Sequence, residues 1–249
     1  MKNLIIIKIG GQAIQQLTER FFQQLQSWQA QGKQLLIVHG GGPMITTLTT
    51  QLQLPVQRVH GLRVTDAQTL AVTKLVLLGE AQPALLTQLN QHHLAALGLN
   101  AADQQLLTGT PLDQPHLGYV GQVTQVNQVA LQTLLAHQIG VLAPLALTAE
   151  GQWLNVNADM AATALAQQLH AEKLVLLTDV PGIIHHGMVM RSLSPQQAQH
   201  LTQQSVITAG MRPKVQAAIQ AIQAGVQQAV ITNAIDQPGT AIIKTEVAL

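Results

Sequence analysis

The sequence contains no cysteine, which excludes disulfide bonds, thiolate catalysis and metal sites built on cysteine. Charged residues are also scarce, because they make up 9 % of the 249 residues, against roughly 25 % in an average globular protein. Aromatic residues make up 2 %, the formal net charge is +1, and there is no basic run. Since nucleic-acid binding needs a positive surface and often stacking rings, we expect no nucleic-acid partner. Each remaining charged residue is an informative candidate for function.

The sequence also lacks the pattern of a secreted or membrane protein. The apolar run at residues 4–9 is too short for a signal peptide with its cleavage site. The uncharged stretch 114–149 carries Gln, His and Gly throughout, which is not typical of a membrane span. We therefore expect a soluble, cytoplasmic protein without a membrane partner. Its length fits one large α/β domain or two closely joined lobes.

Strand-like and helix-like patterns alternate along the chain, which predicts a parallel sheet covered by helices. The expected fold is α/β, a three-layer αβα sandwich with a mainly parallel central sheet. Apolar and alternating runs predict strands at 4–9, 35–38, 106–126 (as hairpin strands), 141–147, 154–157, 174–177, 229–231 and 241–243. Apolar spacing predicts helices at 69–78, 83–97, 129–138, 195–203 and 213–224, and in the stretches 21–28, 44–52 and 161–169.

Two predicted strands end in similar glycine-rich loops. Gly10 and Gly11 follow the first strand, and glycines 40–42 follow the second and precede Pro43, which suits the start of a helix. In a parallel sheet both loops lie at the carboxyl edge, where ligands bind in open α/β folds. Their free N–H groups would form a phosphate cradle, although neither loop has the Walker or dinucleotide-binding pattern. The alternative is that the glycines only permit tight strand–helix turns.

Lys8 lies within the apolar run of the first strand, directly before the first glycine loop. A buried ammonium is costly unless it is paired, so this position favours contact with an anion. The alternative is a lysine that extends from an edge strand into water.

Lys214 and Asp159 are both predicted in the first turn of a helix. Pro213 suits the start of one helix, so Lys214 opposes the helix dipole by about 0.3–1 kcal/mol unless an anion compensates. Asn157 is a natural N-cap for the other helix, and Asp159 follows it. Asp159 is thus a candidate for positioning lysines. The alternatives are a solvated Lys214 and a carboxylate that only favours its own helix end.

Arg63 lies between apolar neighbours and close to a glycine, which suits bidentate capture of a carboxylate. The alternative is an ion pair with Asp66. The ten histidines show no metal-ligand spacing, so we predict no metal site in the protein. We expect His39, which precedes the second glycine loop, to be structural.

These motifs follow one another in an order that closely resembles the amino acid kinase family, over nearly the whole chain. The motifs are Lys8 with Gly10-Gly11, the segments 39–43 (HGGGP), 61–65 (GLRVT) and 155–159 (NVNAD), and Gly210-Met211-x-x-Lys214. The two glycine loops are shared widely in that family. The segments 61–65 and 155–159 are similar to members that phosphorylate N-acetylglutamate, and they differ from carbamate, aspartate and nucleotide-monophosphate kinases.

The resemblance implies a reaction, in which ATP phosphorylates the side-chain carboxylate of N-acetyl-L-glutamate to an acyl phosphate, the second step of arginine biosynthesis. By position, Lys8 and Lys214 would bracket the transferring phosphoryl group, and Asp159 would organise both. The N–H groups of Gly11 and Gly41 would add hydrogen bonds. A carboxylate is already an anion, so this transfer needs no general base and depends on alignment and charge neutralisation.

The resemblance also implies the binding residues. Gly41, Gly42, Arg63 and Asn155 would hold the acylated amino acid. Mg²⁺ would be held mainly by the phosphates of ATP, without a protein cage. The nucleotide would be surrounded by Gly10, Asp179, Val180, Pro181, Gly182, Ile183, Ile184, Val206, Ile207, Thr208 and Gly210.

Two lobes on one continuous sheet are expected from the resemblance. Residues 1–170 would bind the acyl-amino acid and dimerise, and residues 171–249 would bind ATP. The first strand begins near residue 4, without the N-terminal helix that arginine-inhibited relatives use to form hexamers, so we expect a homodimer that arginine does not inhibit. The segment 228–239 is short for the family. Two alternatives stay open, a kinase for a related amino-adipate derivative and a non-catalytic ligand-sensing relative.

Overall fold

A computed structural model describes residues 1, 3–207 and 210–244, in which a central sheet carries helices on both faces. The strands are β1 Leu4–Ile9, β2 Gln34–His39, β3 Arg58–Val59, β4 Leu62–Arg63, β5 Ala96–Leu99, β6 Leu107–Pro111, β7 Val120–Val126, β8 Ile139–Leu142, β9 Leu145–Leu147, β10 Trp153–Val156, β11 Lys173–Leu177, β12 Ile184–His185, β13 Met188–Val189, β14 Ser192–Leu193, β15 Gln228–Thr232 and β16 Thr240–Ile243. The α-helices are α1 Glu19–Ala30, α2 Gly42–Gln51, α3 Ala67–Val76, α4 Gln82–Gln91, α5 Gln114–Leu117, α6 Gln128–Leu134, α7 Ala158–Gln168, α8 Pro195–Gln203 and α9 Arg212–Gln223.

The central sheet has eight strands in the order β14-β16-β15-β11-β1-β2-β8-β5. All neighbours from β15 to β5 pair in parallel, as do β14 and β16, and among the described strands of this sheet only β15 and β16 pair antiparallel. The loops after β1, β2 and β11 therefore share the carboxyl edge of the sheet. This arrangement confirms the predicted mainly parallel three-layer sandwich.

The central strand β1 is buried along its whole length and separates two cores. Its isoleucines at 5, 7 and 9 pack with α1 and α4, whereas Leu4 and Ile6 pack with α7 and α9. Because side chains alternate along a strand, Lys8 lies on the face of Leu4 and Ile6. β2 and β11 flank β1 on either side, so the alternative of a lysine leaving an edge strand is wrong.

A second, smaller sheet stands beside the carboxyl edge. Strands β10, β7, β6 and β9 close on one another, which confirms the hairpin strands expected within 106–126. The predicted strand at 141–147 is two strands, because the chain leaves the central sheet after Leu142 and enters the second sheet at Leu145. Pro144 lies at this break, where it cannot donate to a ladder of hydrogen bonds. The break delivers β9 and β10 to the site.

Four sequence-based expectations for the helices differ from the structure, and the first is the helix predicted at 129–138, which ends at Leu134. The helix predicted at 83–97 ends at Gln91, and its last residues begin the edge strand β5. The helices predicted at 69–78 and 83–97 form one continuous run, joined by a π-helical turn at Leu77–Ala81. In α2 the buried face is carried by Ile45 and Thr49, and Leu52 is 53 % exposed.

The run Ala67–Gln91 is the one helix in the described part of the chain whose length and composition would allow it to cross a membrane. Half of its apolar window is buried inside the fold. Core helices of soluble proteins pass the same test, so this run is weak support for a membrane protein.

Gln82 anchors the continuous helix to the edge of the central sheet. Its buried amide donates to the carbonyl oxygens of Leu99 in β5 and Val141 in β8, at 2.9 and 2.8 Å. Gln82→Leu removes both donors, so we expect a loss of about 1–3 kcal/mol in the free energy of unfolding. Urea denaturation measures this loss, and Gln23→Leu on exposed surface is the matched control. Equal stability of the two variants would contradict the anchoring role.

Candidate active site

A cavity of about 250 Å³ opens at the carboxyl edge of the central sheet. Its walls come from both glycine loops, the β3–β4 hairpin, β10 and the start of α7. The lining includes the predicted residues Lys8, Gly10, Gly11, Gly41, Gly42, Arg63, Asn155 and Asp159. Sequence positions spread over 150 residues thus meet at one place.

The carboxylate of Asp159 joins the two lysines predicted to act together. Its Oδ1 lies 2.9 Å from Nζ of Lys8, and its Oδ2 accepts a hydrogen bond of 3.3 Å from Nζ of Lys214. The side chains of Lys8, Asp159 and Lys214 are 10, 14 and 18 % exposed. The solvated alternative for Lys214 is therefore wrong, and we call these three residues the charge centre.

Three different elements bring the charge centre together. Lys8 comes from β1, Asp159 from the first turn of α7, and Lys214 from the first turn of α9. Asn157 caps α7 as predicted, because its Oδ1 accepts hydrogen bonds from the N–H groups of Asp159 and Met160. This cap fixes the backbone that carries the Asp159 carboxylate.

The electrostatics of the charge centre follow from burial and opposite charge. Burial would raise the pKa of Asp159, but the charges of Lys8 and Lys214 outweigh it and lower that pKa. Burial lowers the pKa of Lys8, and the nearby Lys214 lowers it further, while Asp159 opposes both effects. Asp159 is therefore ionised at neutral pH, and its charge favours the protonated form of Lys8.

The two glycine loops contact each other through their main chains. A Cβ atom on Gly11 would lie 2.8 Å from Cα of Gly41, and a Cβ on Gly41 would lie 2.9 Å from Cδ2 of Leu77. The N–H of Gly40 donates to the carbonyl of Ile9 at 2.7 Å, which joins the loops at their base. No larger residue fits either position without moving backbone or a buried leucine. The glycines therefore do more than permit turns, because they allow this close approach.

Arg63 is buried beside the second glycine loop. Its Nη2 donates to the carbonyl of Gly42 at 3.0 Å and to Oγ1 of Thr46 at 2.6 Å, and its buried Nη1 has no hydrogen-bond partner. Asp66 instead caps α3 by accepting from the N–H of Thr69, so the alternative Arg63–Asp66 pair is wrong. Burial, and then the charge of Arg58, lower the pKa of Arg63. The free Nη1 is available for an anion.

A short chain of hydrogen bonds links Arg63 to Asn155. Nδ2 of Asn155 donates to Oγ1 of the fully buried Thr65 at 3.0 Å, and that hydroxyl donates to the carbonyl of Arg63 at 2.8 Å. The link joins the β3–β4 hairpin to β10. Thr65 therefore positions both residues predicted to bind the acylated amino acid.

The residues at the site that were not predicted from the sequence include Arg58, Thr65 and Leu77. Thr65 is the last residue of the 61–65 motif, so the motif itself could have identified it as a site residue. Leu77 supports Gly41 from the π-helical turn and lines the cavity. Arg58 lines the cavity from an exposed position, and only its location opposite Arg63 in a hairpin could have identified it.

The residues predicted to bind the nucleotide lie mostly outside this cavity. Of those that the structure describes, only Gly10 lines it. The segment 179–184 follows β11 at the same sheet edge, and the N–H of Ile183 donates to Oγ1 of Thr240. Val206 packs on the core, Ile207 is buried, and Gly210 precedes α9. Thr208 lies outside the described residues.

Two histidines near the sheet and its helices have structural contacts. Burial lowers the pKa of His39 to about 4, so its ring is neutral at pH 7, and its Nδ1 donates to the carbonyl of Gly40. His92 is partly buried and stacks on Phe22 with ring centroids 3.8 Å apart. Within the described ranges, no group of three or more His, Asp or Glu side chains could hold a metal ion.

Comparisons with known proteins identify the family to which the chain belongs. The sequence model of the amino acid kinase family matches residues 3–233. An acetylglutamate kinase of Lactiplantibacillus plantarum is 74 % identical over the full length of both chains, and one of Leuconostoc citreum is 46 % identical over 97 % of this chain and 99 % of its own. A crystal structure of a Streptococcus mutans protein superposes with a TM-score of 0.91 and 39 % identity, covering 98 % of this chain and 100 % of that one.

Proposed function

The chain belongs to the amino acid kinase family, and from this membership we propose that it transfers a phosphoryl group from ATP to the side-chain carboxylate of N-acetyl-L-glutamate. The product is an acyl phosphate, formed in the second step of arginine biosynthesis. The observation that carries the proposal is the charge centre, in which Asp159 bridges Lys8 and Lys214 beside a cavity that contains Arg63. The full-length relatives named as acetylglutamate kinases support the substrate.

The reaction needs few groups from the protein. An oxygen of the substrate carboxylate forms a bond to the γ-phosphorus, and the bond from that phosphorus to the bridging oxygen of ADP breaks. The carboxylate is already ionised, so no proton has to be removed. Lys8, Lys214 and the N–H groups of Gly11 and Gly41 neutralise the phosphoryl oxygens. Asp159 keeps the two ammonium groups at the correct distance from each other.

The acylated amino acid occupies the cavity in this proposal. Arg63 offers its free Nη1 to the non-reacting carboxylate, and Asn155 contributes its amide from β10. The helix α2 begins at Gly42, so its N-terminal N–H groups favour an anion at the reacting end of the substrate.

ATP approaches from the β11 side of the charge centre in this proposal, next to Gly10 and the segment 179–184, with Val206, Ile207, Thr208 and Gly210. Asp159 is engaged by two lysines, and Oδ1 of Asp179 accepts from Oγ1 of Thr178. Because both carboxylates already have partners, most of the oxygen ligands of a divalent cation would come from ATP rather than from the protein. Mg²⁺ would supply neutralisation of phosphate charge.

The division into lobes also stays a proposal. Residues 1–170 contribute the cavity and the carboxylate-binding groups, and residues 171–249 contribute the strands on the nucleotide side of β1. We place the enzyme in the cytoplasm, where ATP is available.

A homodimer is proposed from the apolar surface of the first lobe. Leu52 and Leu75 are 53 and 65 % exposed, at the end of α2 and in α3, two helices that pack together. Sedimentation-velocity measurements should give about twice the chain mass of 26.6 kDa, with and without arginine. A monomer would contradict this assignment, and inhibition of the enzyme by millimolar arginine would contradict the expected insensitivity.

ADP release tests the function directly. Purified protein with ATP and Mg²⁺ should release ADP with N-acetyl-L-glutamate, and far less with glutamate, aspartate or N-acetyl-aminoadipate. Hydroxylamine should trap the product as a hydroxamate, which identifies an acyl phosphate. Faster turnover of the amino-adipate derivative would favour the related kinase, and absence of turnover with tight binding of a ligand would favour a sensing relative.

A further inference from the structure

The hairpin at the mouth of the cavity places two arginines opposite each other. β3 and β4 pair antiparallel with Arg58 across from Arg63, and the turn between them has positive φ angles at His60 and Gly61. Directly opposed residues of an antiparallel pair point to the same face. Since Arg63 lines the cavity, Arg58 faces the cavity as well, and both belong to its lining.

Two like charges in this position destabilise a hairpin by themselves. Within the described part of the chain, neither guanidinium forms a salt bridge with a carboxylate. Arg58 makes one weak hydrogen bond, from Nη1 to the carbonyl of Gly61 at 3.3 Å, and is otherwise exposed. The two positive charges therefore have no counter-charge unless an anion binds in the cavity beside them.

Gly42 lies between the two guanidinium groups. Nη2 of Arg63 donates to its carbonyl, and a Cβ on Gly42 would lie 3.9 Å from Nη2 of Arg58. Nη1 of Arg63 is buried without a partner, and an ionised carboxylate has two oxygens that together accept up to about four hydrogen bonds. Arg58, from across the hairpin, can supply further N–H donors and a second positive charge to the same carboxylate.

We propose that Arg58 is a substrate-binding residue that, together with Arg63, binds the non-reacting α-carboxylate of the acyl-amino acid. This inference rests on the proposed function, because the phosphate-accepting carboxylate must lie at Lys8 and a dicarboxylate has one further charge to neutralise. The substrate thereby supplies the anion that the opposed arginines lack. Arg58 is exposed in the absence of that substrate and becomes ordered by it.

Kinetics of Arg58→Gln test the proposal. We expect KM for N-acetylglutamate to rise about 10-fold to 100-fold, as for loss of one charged hydrogen bond, while kcat and KM for ATP stay within about threefold. Arg58→Lys should recover part of the affinity, since it keeps the charge without the planar fork. Arg20→Gln is the matched control, because Arg20 is 75 % exposed on α1, away from the cavity.

A substrate variant separates binding from a structural role. In N-acetyl-isoglutamine the α-carboxylate is a neutral amide, so wild-type protein should use it poorly and Arg58→Gln should lose little further affinity for it. An equal loss for both substrates, or unchanged KM for N-acetylglutamate, would overturn the proposal. Thermal unfolding without ligand should be unchanged or slightly raised in Arg58→Gln, because a repulsion is removed; a clear drop in melting temperature would indicate a structural role instead.

The same measurements distinguish this inference from the proposed function. Turnover of N-acetylglutamate by the wild-type protein reports on the function alone. The ratio of KM values between wild type and Arg58→Gln, measured for the charged and the neutral substrate, reports on Arg58 alone.

Discussion

Replacing Lys8 with alanine is expected to lower kcat by a factor of about 10² or more, as for loss of a preorganised donor to a developing negative charge. Lys8 is almost fully buried in the central strand, and its ammonium group is held 2.9 Å from Asp159. The ADP-release assay at saturating ATP and N-acetylglutamate measures this loss.

A second lysine–carboxylate pair provides the control for this variant. Lys33 precedes β2 and pairs with Glu172 at 2.6 Å, at the amino edge of the same sheet. Lys33→Ala also breaks a partly buried ion pair but lies far from the cavity, so it should keep kcat within about threefold of wild type. A kcat for Lys8→Ala in that same range would remove Lys8 from the mechanism.

Replacing Asp159 with asparagine is expected to impair both catalysis and stability. The variant keeps the shape of the side chain but leaves two ammonium groups close together without a counter-charge. Removing one partner of a buried ion pair costs about 3–5 kcal/mol of stability, and misplacement of two phosphoryl-binding groups should lower kcat by about 10² or more. Urea denaturation at pH 7 and the ADP-release assay measure the two effects.

The pH dependence of Asp159→Asn gives an independent check. In the wild-type protein the charge of Asp159 opposes the fall in the pKa of Lys8, so the variant should lose Lys8 protonation at a lower pH. The alkaline limb of the kcat profile should therefore shift to lower pH. Because the folded-state pKa of Asp159 is below 3.8, its contribution to stability is present above that pH and is lost as pH falls further. Wild-type stability at pH 7 and an unmoved alkaline limb would together show that Asp159 does not organise the lysines.

The charge centre could be predicted because charged residues are rare in this sequence, so each lysine and aspartate was a candidate for function. With charged residues at 9 %, a lysine in an apolar strand and another at a helix start could be recognised without a structure. The structure brings Lys8, Asp159 and Lys214 together, although their catalytic roles stay predictions. Arg58 was missed because an exposed arginine in a two-residue strand shows no periodicity, and only the pairing of β3 with β4 places it opposite Arg63.

Strands and helices were predictable where the local apolar pattern determined the secondary structure. They were less predictable where tertiary contacts determined it. The apolar runs of β1 and β2 are long and buried on both faces, so their identity followed from the sequence. The edge strand β5 was missed because Leu94 and Leu97 continue the spacing of the preceding helix, whereas pairing with β8 fixes this segment as extended. The π-helical turn at Leu77–Ala81 adds one residue to a helical turn, which apolar spacing does not detect.

The glycine loops present only main-chain atoms to the cavity, which sets a limit on how the site can be mapped. A peptide N–H does not titrate at working pH, reacts with no alkylating or acylating reagent, and survives every side-chain substitution except proline. Chemical labelling would therefore report on the lysines and arginines and overlook these donors, and alanine at Gly11 or Gly41 would displace the loops rather than remove a single donor. Amide-to-ester replacement at residues 11 and 41, introduced by semisynthesis, removes one backbone hydrogen at a time and would measure what each contributes to turnover.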